Sequence, residues 1–252
     1  MKTGILILIL GFYVNPAVGF TLNSSTNPDL SGWADSDIKL LVNTANCPAG
    51  IDVPGIIAEA VEVWNNVPTS SMKVSYGGAT TSTTFASPAT VYCETNFQSV
   101  LGANQDYVPG AAAVQAPNGQ ITSGILYLNA SSGLANISNF DRTVLTIVLA
   151  HEIGHILGLG HSESTNALMY FDASAKTEPR LSQDDMDGIS YLYPSNELSD
   201  HKIAGCGLVD SSLPPPSTGT LTFLFSLLFM PLVLCWGWAQ SMRRNLYWCK
   251  TK

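Results

Sequence analysis

"HEIGHILGLGH" occupies residues 151 to 161 and holds three of the four histidines of the chain together with one glutamate. His151 and His155 lie four apart, so on a helix their rings leave one face a single turn apart, which suits two nitrogen ligands of one zinc ion. Glu152 follows the first of them and can reach a water held by that metal. The same helix face supplies no third ligand. Gly158 can take the left-handed conformation that ends a helix, and the turn through Leu159 and Gly160 then brings His161 back. Three nitrogens leave a fourth position open, which marks catalytic zinc; structural zinc is closed by four protein ligands. Cys47 and Cys93 are better explained as a disulfide, and His201 falls in a stalk, so no fourth ligand is evident.

Working outward, the helix that carries the motif is predicted to start at the capping pattern Ser138 to Asp141 and to run through "RTVLTIVLAHEIGHIL". "LSQDDMDGISYLY" predicts a later helix capped by Ser182. "PGIIAEAVEVWNNV", residues 54 to 67, predicts an earlier one, with Pro54 in its first turn and Ile56, Ile57, Ala60, Val61 and Trp64 on one face. "IKLLVN" (38 to 43) and "GILYLNA" (124 to 130) read as strands. Strands first, then helices, without βαβ alternation, point to an α+β fold.

The ends of the 252-residue chain read differently from its body. Lys2, the apolar run Ile5 to Phe12, and Ala17 and Gly19 before a cleavage point predict a signal peptide over 1–19. Residues 20–194 form one domain, and 195–219, with "LPPPSTG", form a linker or stalk. Segment 220–240 contains the uncharged run 221–239, long enough to span a membrane, and the basic tail 241–252 follows. This predicts an exported, single-pass, membrane-anchored protein with its N-terminus outside. Alternatives for this end are a cleaved sorting signal, which "LPPPSTG" resembles, and replacement by a lipid anchor. Residues 20 to 220 carry a net charge of −13 and the tail +4, which excludes nucleic acid and anionic membrane surfaces as partners of the body. An exported domain makes Cys47 and Cys93 the natural disulfide, with Cys206 left over. Asn23, Asn129 and Asn136 begin N-x-S sequons.

"HEIGHILGLGHSESTNALMY", with Met169 eight residues after His161, resembles the metzincin zinc and Met-turn signature. Ser162, "ALMY" and "LSQDDMDGISYLYP" make the chain similar to the matrixins in particular. The resemblance implies a five-stranded twisted sheet with three helices and a zinc-dependent endopeptidase of extracytoplasmic proteins. In it His151, His155 and His161 are the zinc ligands, Glu152 is the general base acting on zinc-bound water, and Met169 lies beneath the metal. It also implies calcium among the acidic loops, with no ligands that can be named, and a protein or peptide substrate lying as an extended strand along the edge near 124 to 130. In matrixins without a propeptide the new N-terminal ammonium can pair with the first aspartate of the third helix; Phe20 and Asp184 match that arrangement. This chain departs from the family in lacking a "PRCG" switch and in placing Phe171 where proline usually stands. The alternative function is a zinc-binding adhesion or pseudoprotease module without turnover.

Overall fold

The computed structural model describes residues 19–23 and 30–195. Ile38, Leu40 and Val42 turn inward at every second position and build β1 (Asp37–Asn43). Asp52 then accepts a hydrogen bond from the Gly55 amide at 3.1 Å. It satisfies one of the donors that a helix start leaves free, and Pro54 has none to satisfy, so α1 (Val53–Ala60) begins there. The expected single helix breaks at Val61 into α1 and α2 (Glu62–Asn65), and the anticipated face from Ile56 to Trp64 is buried throughout. After these come β2 (Lys73–Ala79), β3 (Thr90–Glu94), α3 (Phe97–Leu101), β4 (Gly110–Gln115), β5 (Ser123–Asn129), α4 (Arg142–Ile156) and α5 (Gln183–Leu192).

The five strands form one sheet in the order β2-β1-β3-β5-β4, parallel except for β4, which runs antiparallel to β5. Two expectations are corrected here. A βαβ crossover is present, from β1 through α1 and α2 to β2; the fold remains α+β because α4 and α5 both follow the last strand. The strand over 124 to 130 is not an edge, since β5 lies between β3 and β4, and the free edge on that side is β4. Both misreadings have one cause. In β2 only Val74 is buried, and β4, "GAAAVQ", has small side chains and a single buried residue, so neither shows the apolar alternation of a strand.

Helix α4 is capped by Asp141, which accepts from the Val144 amide at 2.9 Å. Ser138 lies in a preceding 3₁₀ turn, Ile137–Asn139, so the helix starts at the far end of the predicted capping pattern. Nearly every residue from Leu145 to Ile156 is buried, because α4 packs on α1 and across β4 and β5. Trp64, Met72, Val91, Leu126, Leu149 and Ile153 fill the core around it. Ser182 caps α5 as expected, in a capping box with Asp185. Cys47 and Cys93 form the disulfide, tying the loop after β1 to β3. Among the described residues no helix is long and apolar enough to cross a membrane. The signal segment before Gly19, the stalk beyond Ser195, the run 221–239 and the basic tail lie outside them.

Candidate metal centre

The α4 ladder sets His151 and His155 one turn apart, with ring centroids 4.9 Å from each other. His161 arrives by the turn the glycine allows. Gly158 has φ +106°, its amide donates to the His155 carbonyl at 3.1 Å, and the Leu159 amide donates to Gly154 at 2.9 Å. A side chain at 158 would be strained by this φ, and its Cβ would stand 3.1 Å from Ile121 and from Leu192. One ligand atom from each of the three histidines lies within 4.8 Å of the others.

The carbonyls of the last turn of α4 have donors: Leu157 N to Ile153 O, Leu159 N to Gly154 O, Gly158 N to His155 O and Trp33 Nε1 to Ile156 O at 2.7 Å, with Tyr193 Oη donating to Leu157 O at 2.6 Å just beyond. Inside the helix, Trp64 Nε1 adds a donor to Ala150 O at 2.9 Å. Ahead of the domain, Gly160 N donates to Thr21 O and Asn23 N to Gly158 O, so residues 21–23 run antiparallel to the turn that bears His161. Phe20 reaches α5, with its ring 5.5 Å from Tyr191.

Imidazole chemistry tests whether zinc fits. His151 Nδ1 faces Leu168 O at 2.7 Å and His155 Nδ1 faces Leu159 O at 2.8 Å. A carbonyl can only accept, so each Nδ1 carries the proton and each Nε2 keeps its lone pair. His155 Nε2 and His161 Nε2 stand 3.2 Å apart. That separation suits two nitrogen ligands held about 2.0–2.1 Å from one zinc ion. Burial lowers the pKa of all three rings, that of His155 to about 3, which keeps them neutral and able to ligate. The residues fit zinc. Among the described residues no second cluster of three metal-ligating side chains occurs.

Met169 packs on the glycine face of α4, where a methyl added at Gly154 would collide with its sulfur. The turn that carries it hangs on Asp185, a residue that sequence reading passed over in favour of Asp184. Asp185 is buried and accepts from Leu168 N at 2.7 Å, Met169 N at 3.0 Å, Ser182 N at 2.7 Å and Ser182 Oγ at 2.9 Å. The S-x-x-D spacing of the capping box was the signal for it. Asp184 instead accepts from Ser162 Oγ.

Glu152 is buried beside the histidines, and burial pushes its pKa up to about 8, with a backbone hydrogen bond at Ala112 opposing the shift. Its surroundings are tight, since a Cβ at Gly110 would lie 3.1 Å from Glu152 Cγ. A cavity of about 510 Å³ opens at this point, shared by Glu152 and the three histidines and walled by Tyr107, Phe140, Val144, Ile147, Val148 and Phe171. Tyr107 and Phe171 are otherwise exposed.

A zinc-fitting histidine triad on a helix and its returning turn, a methionine turn beneath and a mixed five-stranded sheet define a domain of the metzincin class. The matrixin family profile matches residues 33–194, and the chain belongs to that family. Interstitial collagenase from Bos taurus is 31% identical over 175 residues, 66% of this chain and 34% of its own length. Stromelysin-1 from Mus musculus is 33% identical over 184 residues, 67% of this chain and 34% of its own. Metalloendoproteinase 1 from Glycine max is 51% identical over 60 residues, 23% of this chain and 19% of its own. The chain spans about a third of the length of the first two relatives.

Proposed function

We propose that the protein is a zinc-dependent endopeptidase of extracytoplasmic proteins, with His151, His155 and His161 as ligands and Glu152 as general base. The observation that carries this reading is the convergence of one ring nitrogen from each of three histidines beside a buried carboxyl on an apolar cavity. Zinc held there supplies a Lewis acid for the scissile carbonyl oxygen and lowers the pKa of the attacking water. Glu152 takes the proton of that water as the new C–O bond forms, and hands it to the amine nitrogen as the C–N bond breaks. Its burial with one opposing backbone contact leaves it free of competing donors, and a cation held by the histidines favours the carboxylate form that the first proton transfer needs.

The substrate chain lies along β4, whose outer backbone groups have no strand partner among the described residues, and a large apolar side chain beside the scissile bond enters the cavity. Export by a signal peptide over 1–19 and tethering through 221–239, with 195–219 as stalk, complete the proposal. The Cys47–Cys93 disulfide supports an oxidising compartment. Cleavage of a casein-type protein, abolished by a chelator and restored by zinc, tests the activity. A purified, zinc-loaded chain that bound such proteins without cleaving them would leave the adhesion module as the answer. Calcium added after the zinc tests the second cation that the family implies.

A further inference from the structure

Asn129, the last residue of β5, is fully buried, and all its polar groups converge on a single loop and its neighbour. Its side-chain nitrogen donates to Gln105 O and to Val108 O, both at 2.9 Å. Its backbone amide donates to Pro109 O at 2.9 Å, and its side-chain oxygen accepts from the Ser131 amide at 3.0 Å. Segment 105–109 therefore hangs from one residue by three hydrogen bonds. Its other described hydrogen bonds are few: Ala135 N donates to Gln105 O at 3.3 Å, Asp106 Oδ1 accepts from the Leu134 amide, Asp106 N donates to Asn104 Oδ1, and the Tyr107 and Val108 amides donate to Asn104 O.

That segment leads straight into the site. Tyr107, Val108 and Pro109 wall the cavity, and Gly110, the next residue, sits against Glu152 and Val148 and begins β4. A shift of 105–109 would move the start of β4, and with it both the backbone that faces Glu152 and the rim of the cavity. The histidines stand on α4 and its following turn, and among the described residues none of them shares a hydrogen bond with Asn129.

We infer that Asn129 is a positioning residue that fixes segment 105–110, and through it the Glu152 side of the cleft, without taking part in holding the metal. The inference rests on the peptidase reading above. A consequence concerns the sequon that Asn129 begins: both donors of its amide are spent on carbonyls inside the fold, so the active chain is unmodified at this position.

The test uses the full chain. Asn129→Asp keeps the shape and the acceptor for Ser131 but faces the two carbonyls with an acceptor, and Asn129→Ala removes the side-chain bonds altogether. Both should lower kcat/KM on a peptide substrate by about 10- to 100-fold, with kcat falling, while zinc content and zinc affinity stay within about twofold of the unsubstituted chain. Asn136→Ala is the matched control. Asn136 donates to Ser131 O and accepts from the Ser138 amide in the adjoining loop, but makes no hydrogen bond to 105–109, so its loss should cost stability and leave kcat/KM unchanged. Asn129→Ser, with one donor, should fall between, and it carries the test if the other two variants do not accumulate folded. Variants at 129 with kcat/KM within about twofold of the parent overturn the inference, as does an equal loss in Asn136→Ala or a parallel loss of zinc. A parent chain without peptidase activity would instead refute the function on which the inference rests.

Discussion

Two carboxylates are buried within this domain close to the candidate centre, and they are treated in opposite ways. Asp185 on α5 accepts four hydrogen bonds, three of them from backbone amides, and through them holds the turn of Met169. Glu152 on α4 is left with a backbone contact at Ala112, and burial drives its pKa up to about 8. A saturated carboxylate is a strut, since each donor it would leave behind is a cost. An undersupplied one has capacity to take up and give back a proton, which is what the proposed chemistry asks of it. The difference teaches that burial alone does not set a carboxyl group's part; the number of donors around it separates the strut from the proposed base.

Four experiments can break or sharpen that contrast. The largest effect is expected from Glu152→Ala, which should retain zinc, because all three histidines remain, while peptide hydrolysis falls by about 10²- to 10⁴-fold. Zinc content measured beside turnover checks both halves, and near-parental turnover would remove Glu152 from its role. Next is Asp185→Ala, which strands the Leu168 and Met169 amides and should cost about 3 kcal/mol of stability in denaturant unfolding. If its cost were instead confined to turnover, with stability untouched, the strut would be misassigned.

A third, smaller effect depends on pH. Without metal the Glu152 pKa stands at about 8, above its ordinary 4.5, so the folded state holds that proton more tightly than the unfolded chain does. The stability this contributes is complete below the ordinary value and is lost as pH rises through about 8. Glu152→Gln cannot lose the proton, and the histidine contributions are common to both proteins. In chelator, the glutamine variant should therefore melt higher than the parent at about pH 9, with the gap closing toward about pH 5; a constant gap would contradict the raised pKa. The smallest effect concerns Asp184, which neighbours the strut and whose side chain, among the described residues, accepts a single hydrogen bond, from Ser162 Oγ. If the ammonium freed at Phe20 pairs with it, one extra alanine before Phe20 should lower activity about twofold to tenfold, and Asp184→Asn should not deepen that loss. Equal activity in all four combinations would dismiss the pairing.

Contiguity decided how much of this was legible in the sequence. The three histidines, Glu152 and Gly158 sit within one helix and its stop, where a period of 3.6 and one left-handed residue fix the geometry. Cys47 and Cys93 were readable because they are the two cysteines inside the domain. β2 and β4 were not, because edge strands built from glycine, alanine and polar residues carry no alternation, and missing them moved the expected substrate edge one strand inward. Asp185 was legible only as the S-x-x-D partner of Ser182, and Asn129 only as the start of a sequon. What they do for distant backbone was not: Leu168 and Met169 stand 17 and 16 positions from Asp185, Gln105 and Val108 stand 24 and 21 from Asn129, and packing alone brings them near.

The open flank of β4 has a further implication for how the protein behaves in company. A strand edge that accepts any extended backbone cannot distinguish a foreign polypeptide from a loosened segment of another molecule of the same kind. If substrate lies along β4 as proposed, the same edge also sets an upper limit on crowding. Edge-to-edge association would then compete with the proposed turnover as concentration rises, and a partly unfolded copy would serve as substrate for a folded one. Anchoring each molecule separately at a surface would relieve both pressures by keeping the edges of neighbours apart.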